Sequence, residues 1–413
     1  MRITGLESFT VAIPFRAPIL SAFGVSYPAR VRTFIRIHTD AGLTGIGETG
    51  PSATDYFDRE ALLTRFEKGV KPHIIGESPY DHQWLRRKLH YSPESIAVEI
   101  ACWDLIAKAN GVPLYRLLGG DRECEHVGVA GYCFFRASSP DGSGAVTLDS
   151  FVDHCQDIRA AHGYKTLKVK LGAHHPHDEI RVVQALRAAI GEDVELRIDP
   201  NGSWSLPTAL RVLKRLEGVD LQYVEEPIRT QGPADGTTAT AGLRRLRGVS
   251  QTPIAADHCY RLDLLTQIVR DEAADVVLAD VFGCGGIANT VDYVRIAGAF
   301  DLGVALHSGT ELCVGQTAKL HIHAALRQLV AYDGDAIYPE YVDGVLIGGK
   351  LKIENGAMRV PQAPGLGVEL DEAKLAQWEL TVERHRQLDA FWEATKANLG
   401  VGVSTADALV RHF

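Results

Sequence analysis

The second half of the chain is dominated by a repeat of short apolar segments and amphipathic helices. From about residue 126, eight segments are typical of buried strands: HVGVAGYC, TLKVKLG, VELRIDP, LQYVEEP, PIAAD, DVVLAD, LGVALH and LVAYD. Helical patterns such as DEIRVVQALRAAIG and SLPTALRVLKRLEG lie between them. Repeated strand and helix units predict a parallel sheet, and eight of them favour a closed barrel over an open sheet.

The first part of the chain has a different texture. Residues 1–50 alternate polar and apolar positions through RITGLESFTVAI, VRTFIRIHTD and LTGIGET, which predicts an antiparallel meander. A strong helical pattern follows in SPESIAVEIACWDLIAKANGVPLYRLLGG. The tail returns to strand and turn in GGKLKIENGAMRV and ends in a long helix. We predict an α+β capping domain at residues 1–125, a barrel at 126–345, and a C-terminal segment, 346–413, that returns to the capping domain.

Composition and charge exclude several classes of function. The formal net charge is -9, so the chain has no large basic face for nucleic acid or an anionic membrane. No apolar run approaches the roughly 20 residues that span a bilayer, and MRITGLESFTVAIPF lacks the layout of a secretory signal. Seven cysteines without a CxxC pair indicate a reducing compartment. We predict a cytoplasmic protein without nucleic-acid or membrane partners, with a homo-oligomer as the default assembly.

Two lysines interrupt the apolar strand TLKVKLG. Lys168 and Lys170 are two residues apart, so both side chains face the same side of the strand. Taken alone, the pattern fits an edge strand with its lysines in solvent. The polar residues that end the other strands favour a different interpretation, in which the lysines lie inside the barrel.

Polar residues recur once per strand and helix unit. They are Lys168 and Lys170, Asp199 and Asn201, Glu225 and Glu226, Asp257, Asp280, and His307. The intervals from Lys170 to His307 are 23 to 32 residues, close to the roughly 31 residues per unit of an eight-unit barrel. Any one of these carboxylates is more often a helix cap or a salt-bridge partner. Together they predict a site at the carboxyl ends of the strands, where barrel active sites are built.

The residue types at this face predict a metal and two bases. Three carboxylates from adjacent strands, Asp199, Glu225 and Asp257, form an all-oxygen shell that suits Mg²⁺. Lys170 is a possible neutral base because the neighbouring cation Lys168 lowers its pKa, and His307 is a second base, oriented by Asp280. Such a site suits removal of a proton α to a carboxylate. Asn201 faces the same way as Asp199 and is a candidate contact to substrate.

These motifs together resemble the enolase superfamily, in the mandelate racemase and glucarate dehydratase branch. The resemblance covers nearly the whole chain and rests on AGLTGIGET, ACWDLIAKANGVPLYRLLGG, the KVK strand, DPNGSW, VEEP and ALHSG. It implies an α/β protein in which an α+β capping domain, built from both termini, covers a modified (β/α)7β barrel.

The resemblance also implies roles for individual residues. The family's two lysines fall on Lys168 and Lys170, and the second of them is its base. Its metal ligands and its histidine and aspartate dyad fall on Asp199, Glu225 and Asp257, and on His307 and Asp280. Asp280 stands where a lysine would point to the muconate-lactonizing or dipeptide-epimerase branch. Asp257 departs from the Asn that is usual in D-glucarate dehydratase, and this leaves the substrate open.

Two questions about the site remain open at the level of sequence. Glu226 is an alternative ligand to Glu225, since neighbours in a strand point to opposite faces; the resemblance favours Glu225 because family ligands occupy the first acidic position. Asp333 and Glu340, after the predicted eighth strand, are candidate substrate contacts on the same rim, with loop capping as the alternative.

Three activities are compatible with these residues. The first is a Mg²⁺-dependent acid-sugar dehydratase, in which Lys170 or His307 removes the α-proton and a 2-keto-3-deoxy sugar acid is formed. The second is a racemase or epimerase of a 2-hydroxy acid with the same two bases. The third is a catalytically silent barrel that only binds a ligand. The predicted partner in each enzymatic case is a small-molecule carboxylate.

Several other features are given less weight. His174, His175 and His177 lie in a predicted loop, and His321 and His323 lie two apart in a predicted helix, where they do not share a face. The glycines of FGCGGIAN match no phosphate-binding fingerprint and favour a barrel turn. Substrate choice is expected to depend on two capping loops, FRAPILSAFGVS and ETGPSATDYFD.

Overall fold

The computed structural model describes residues 1–50, 59–120, 124–230 and 240–398. They form an antiparallel sheet with helices and a larger parallel sheet with helices, as the sequence predicts. Of the second predicted capping loop, residues 51–58 lie outside the described residues. Within the described ranges, no helix is both long and apolar enough to cross a bilayer.

An antiparallel sheet opens the chain. Its strands and an associated hairpin are β1 (Ile3–Pro14), β2 (Ile19–Ser21), β3 (Gly24–Val25), β4 (Ala29–Thr39) and β5 (Thr44–Glu48). β4 is central, paired with β1 on one side and with β5 on the other. Phe9 lies opposite Phe34 in the long β1 and β4 ladder. The predicted meander is confirmed.

Helices pack on this sheet, and α4 lies especially close to β5. They are α1 (Arg59–Thr64), α2 (Lys71–Ile74), α3 (His82–Lys88), α4 (Pro93–Ala109) and α5 (Leu114–Leu117), with a π-helix at Arg65–Val70. Ser92 caps α4 by accepting the Ser95 N–H. A Cβ placed on Gly47 would lie 2.0 Å from the Ala97 carbonyl oxygen. The glycine in β5 is therefore what lets α4 lie directly on the sheet.

Among the described residues, the parallel sheet contains eight strands in the predicted order. They are β6 (His126–Cys133), β8 (Thr166–Lys170), β9 (Glu195–Asp199), β10 (Tyr223–Glu225), β11 (Ile254–Ala256), β12 (Val276–Ala279), β13 (Gly303–Leu306) and β14 (Gly334–Ala336). The short β7 (Phe135–Arg136) follows β6 and pairs antiparallel with β2 of the first unit. Neighbours run β13, β12, β11, β10, β9, β8, β6, and β14 pairs with β6. A Cβ on Gly334 would lie 3.8 Å from Cβ of Leu306, which brings the two ends of the sheet together.

Seven helices connect these eight strands within the described part of the chain. They are α6 (Phe151–His162), α7 (Pro176–Ile190), α8 (Leu206–Leu216), α9 (Thr240–Arg247), α10 (Leu262–Arg270), α11 (Ile287–Ala299) and α12 (Cys313–Ala325). Their buried faces are apolar, as at Val183 and Leu186 of α7 and Leu264 and Leu265 of α10. The (β/α)7β barrel with its cap is confirmed as the fold.

The tail touches both units. β15 (Ile353–Glu354) and β16 (Ala357–Arg359) form a hairpin, and β16 pairs antiparallel with β6. Next come α13 (Glu372–Trp378) and α14 (Val382–Asn398). The Leu380 N–H donates to the Thr10 carbonyl of β1, so the chain returns to the first sheet after the hairpin. The residue boundaries 1–125, 126–345 and 346–413 stay predictions.

The eighth strand is not where the sequence placed it. The segment LVAYD was predicted as that strand, but its first part is the end of a 3₁₀ turn at Arg327–Leu329, and the strand is Gly334–Ala336. Asp333 therefore precedes the strand, and its carboxylate accepts a hydrogen bond from the Thr166 hydroxyl at the start of β8. The prediction that Asp333 shares the rim with the other site residues is wrong, because this residue lies at the amino end of the sheet.

Candidate active site

Both lysines of β8 lie inside the barrel, and acids surround them. Lys168 Nζ lies 2.6 Å from both carboxylate oxygens of Glu225 and 2.6 Å from Asp335 Oδ2. Burial alone would lower the pKa of Lys168, but Asp335 and Glu225 outweigh it and hold the pKa well above its usual value. Lys170 Nζ lies 2.5 Å from Asp199 Oδ2. The edge-strand alternative is therefore excluded.

The three predicted metal ligands are fully buried at the ends of adjacent strands. Burial raises the pKa of Glu225, and the neighbouring charge of Asp199 raises it further. Burial also works against ionisation of Asp199, but Lys170 and Lys168 reverse its effect and hold the pKa of Asp199 well below its usual value. The pKa of Asp257 is low as well, since His258 and His307 outweigh its burial. The site thus holds ionised carboxylates beside a carboxyl that resists ionisation.

These residues fit a divalent cation. Oδ2 of Asp257 is buried and has no hydrogen-bond donor among the described residues. Ligand atoms of Glu225, Asp257 and His307 lie within 4.8 Å of one another. Asp199 is hydrogen-bonded to Glu225, but its own oxygens also contact Lys170 and the Asn201 N–H. The oxygen-rich set suits Mg²⁺.

Glu226 is turned into the mouth of the site and not away from it. Its backbone is left-handed (φ 39°), so the strand alternation ends at Glu225. Glu226 Oε2 lies 3.0 Å from Nδ1 of His258. Glu226, Asp257 and His258 form a second group with ligand atoms within 4.8 Å. Glu225 is the residue that faces Lys168, and the choice of Glu225 as ligand stays a prediction.

His307 lies beside both Asp280 and Tyr260, and both of these side chains face its Nδ1 nitrogen. His307 Nδ1 lies 3.7 Å from Asp280 Oδ2, beyond a hydrogen bond, and 3.2 Å from the Tyr260 hydroxyl. Tyr260 donates to Asp257 Oδ1 at 2.6 Å. A Cβ on Gly309 would lie 2.6 Å from Asp280 Oδ2, so the glycine makes room for the aspartate.

The remaining predicted contacts differ in position. Asn201 Oδ1 lies 3.4 Å from Lys170 Nζ, so Asn201 belongs to the group. Glu340 follows β14 and pairs with Arg136 at 2.5 Å. It is thus at the carboxyl end of the sheet but already has a partner. Asp333 is at the opposite end of the sheet.

Three residues of the site were missed at the level of sequence. Asp335 points inward from β14 to Lys168, but the misplaced eighth strand hid it. His258 follows Asp257, and alternation would turn it away; its left-handed backbone (φ 57°) turns it toward Glu226 instead. Tyr260, three residues after Asp257, carried no recognisable signal in the sequence.

The histidines given less weight are accounted for by other contacts. Both ring nitrogens of His321 have backbone partners, at Tyr115 and Leu366. His323 Nε2 pairs with the Leu329 carbonyl. Burial lowers the pKa of both rings to about 4. His175 caps α7 through the His177 N–H.

Comparison with known proteins gives a family match in each half of the chain. Residues 3–119 match the family described as mandelate racemase / muconate lactonizing enzyme, N-terminal domain, and residues 150–374 match the family described as enolase C-terminal domain-like. A Streptomyces coelicolor protein named probable glucarate dehydratase is 32% identical over 391 residues, covering 87% of each chain. The L-Ala-D/L-Glu epimerase of Bacillus subtilis is 25% identical, covering 89% of this chain and 97% of its own.

A solved structure is similar over nearly the whole chain. It is an enolase from Pseudomonas fluorescens with bound magnesium, potassium and tartrate. It is 28% identical, covers 97% of each chain, and superposes with a TM-score of 0.82.

Proposed function

Because the chain belongs to the mandelate racemase and muconate lactonizing enzyme family of the enolase superfamily, we propose that it is a Mg²⁺-dependent dehydratase of acid sugars. The observation that carries the proposal is the placement of Lys170 and His307, each beside a buried aspartate, at the ends of strands that stand five places apart in the sheet. Two proton-transfer groups then reach one substrate from different sides.

Asp199, Glu225 and Asp257 would hold the metal. Members of the superfamily bind Mg²⁺, and the Pseudomonas fluorescens relative has magnesium bound. When bound, the ion supplies positive charge that favours ionisation of the carbon next to the substrate carboxylate. The orphaned Oδ2 of Asp257 and the closeness of its ligand atoms to those of Glu225 support these two positions, and Asp199 lies hydrogen-bonded beside Glu225.

The proton steps belong to the protein. Lys170 or His307 takes the α-proton, and the C–H electron pair forms a carbon–carbon double bond as the β-C–O bond breaks. The leaving hydroxyl takes a proton from His307 and departs as water. The enol then tautomerises to the 2-keto-3-deoxy acid. Lys168 lies among the carboxylates as a fixed cation that favours the negative charge developing on the substrate as the proton leaves.

The substrate class is supported by charge and by the relatives. The buried cations Lys168 and Lys170 suit a carboxylate, and the Pseudomonas fluorescens relative holds tartrate, a dicarboxylate with hydroxyl groups. A small acid of this kind is the proposed partner. A homo-oligomer stays a prediction.

Racemisation or epimerisation is the second candidate. The same two groups, Lys170 and His307, can add a proton to the face opposite the one that lost it. The Bacillus subtilis relative is named as an epimerase, which favours keeping this alternative. The third candidate is a catalytically silent barrel, which would bind metal and acids without catalysing the exchange of α-protons for deuterium.

A screen of mono- and diacid sugars with Mg²⁺ in deuterated water tests the proposal. Formation of 2-keto acid on one or two diacids is the expected result. Deuterium uptake without keto acid would instead identify an epimerase. Lys170→Ala and His307→Asn should each abolish turnover, whereas Lys165→Ala, an exposed lysine just before the same strand, should not. Metal and acid binding with neither signal across the library would overturn the dehydratase in favour of the binding barrel.

A further inference from the structure

The glycines of FGCGGIAN are explained by the cap. Gly285 and Gly286 both have positive φ, at 83° and 112°. A Cβ on Gly286 would lie 2.6 Å from Glu99 Oε2, and one on Gly285 would lie 2.6 Å from a guanidinium nitrogen of Arg86. Both partners come from helices of the cap. The glycine run is therefore a close-approach point between cap and barrel.

Glu99 binds the amino end of α11 at this point. Its side chain is fully buried, and its two oxygens accept the N–H groups of Ile287 at 2.8 Å and Ala288 at 3.0 Å. Trp103 Nε1 donates to the same carboxylate at 2.8 Å. The first N–H groups of a helix have no partner within the helix. Here α4 of the cap supplies that partner.

Glu48 accepts hydrogen bonds from the amino end of α12 in the same way. This residue ends β5, is fully buried, and accepts the N–H groups of Leu312 at 2.6 Å and Gly315 at 2.8 Å. Arg32 of β4 adds to the contact, since its Nη2 donates to the Thr310 hydroxyl at 2.8 Å and to the Thr310 carbonyl at 3.0 Å. Thr310 has a left-handed backbone (φ 62°), which is a strained conformation for a threonine. The hydrogen bonds from Arg32 therefore hold this turn from the side of the cap.

The helices α11 and α12 follow β12 and β13, the strands that precede Asp280 and His307. α11 begins seven residues after Asp280, and α12 begins six residues after His307. A Cβ on Gly50 or on Gly315 would lie within 3.2 Å of Phe282, two residues after Asp280. The cap thus touches both segments that carry the dyad.

We propose that Glu48 and Glu99 are positioning residues, which act through the amino ends of α12 and α11 to fix His307 and Asp280 relative to each other. This inference rests on the proposed role of the dyad. A glutamine in place of either glutamate keeps the shape of the side chain but turns one acceptor oxygen into a donor that faces an N–H group. The helix end then has to shift or lose a hydrogen bond.

Asp104 provides a matched control. It lies on the same helix as Glu99, is fully buried, and accepts the N–H groups of Leu366 at 2.7 Å and Ile46 at 3.0 Å. These partners belong to the tail and to β5, not to a helix that follows the dyad. Asp104→Asn should therefore lower stability in urea about as much as Glu99→Gln and leave the dyad in place.

The first readout needs no substrate. Imidazole resonances of ¹⁵N-histidine-labelled protein are compared between wild type, Glu48→Gln, Glu99→Gln and Asp104→Asn, with His307 identified by His307→Asn. The signals of His307 should move in both glutamine variants and stay in Asp104→Asn. The second readout is turnover: kcat should fall about 10- to 100-fold in the glutamine variants, with KM changed less than about twofold.

Unchanged His307 signals in both glutamine variants, with a loss of stability like that of Asp104→Asn, would overturn the inference and leave the contacts purely structural. If the wild type turns over none of the acids screened, the resonances still decide the inference, and only the proposed function fails. If one glutamine variant does not fold, the other decides.

Discussion

Replacing Lys168 by methionine tests the charge network at the centre of the barrel. Lys168 Nζ lies 2.6 Å from both oxygens of Glu225 and from Asp335 Oδ2, with none of these side chains exposed. Methionine fills similar space, but Glu225 then loses its cation and Asp335 keeps only Arg197, at 3.4 Å. Removing one partner of a buried ion pair costs about 3–5 kcal/mol. We expect the free energy of unfolding of Lys168→Met to fall by that amount in EDTA.

Magnesium should restore part of this loss. An ion that binds only the folded state adds about 2.7 kcal/mol at a concentration 100 times its Kd. Because Lys168 also lies 3.5 Å from Asp199, its removal makes the acids more available to a metal. The gain in stability on adding Mg²⁺ should therefore be larger for the variant than for the wild type.

Urea unfolding followed by circular dichroism, in EDTA and in saturating Mg²⁺, measures both effects. Lys71→Met is the control, since Lys71 Nζ lies 2.9 Å from Glu67 in an exposed pair one helical turn apart. Such a pair contributes about 0.3–0.5 kcal/mol. A loss below about 1 kcal/mol for Lys168→Met in EDTA would refute the reasoning, because Asp335 would then not be an ionised partner of Lys168.

Two further variants probe the cap and the dyad. Burial raises the pKa of Glu48 from 4.5 to about 7, so its contribution to stability is largest below pH 4.5 and is lost as pH rises to 7. Urea unfolding at pH 5 and at pH 7.5 should show the free energy of unfolding of the wild type falling by about 2 kcal/mol between the two, and by less in Glu48→Gln. Equal falls in the two proteins would contradict the raised pKa of Glu48. Gly309→Ala should push Asp280 away from His307 and slow α-deuterium exchange at least about tenfold. The control Gly69→Ala has open space at its Cβ and should leave the exchange rate unchanged. An unchanged rate in Gly309→Ala would show that the distance between Asp280 and His307 is not critical.

The sequence predicted the site through periodicity, and it failed where periodicity stops. Strand ends recur once per unit, so Asp199, Glu225 and Asp257 could be placed at one face before any coordinates. His258 could not, because a left-handed backbone directly after a strand changes which way a side chain points, and that conformation has no fixed residue signature outside glycine.

The contacts between the cap and the barrel could not be predicted from the sequence for another reason. Glu99 and Ile287 are 188 residues apart, and a helix such as α4 shows in its pattern only that one face is buried. The pattern of Gly285 and Gly286 predicts a turn, which is correct locally. Their partners, Arg86 and Glu99, come from the cap, and no local pattern in the sequence names them.

Asn201, Glu226 and His258 lie just beyond the strands β9, β10 and β11, and all three have left-handed backbones. A protein engineer who wishes to vary the carboxyl end of this sheet can alter these side chains without replacing a strand residue, since all three lie after the last residue of a strand. Libraries at these sites should be rich in Asn, Asp, His and Gly and omit Val and Ile, whose branched side chains are disfavoured at positive φ. The barrel thus separates the strand residues that maintain it from neighbouring positions that can be varied while the strands stay unchanged.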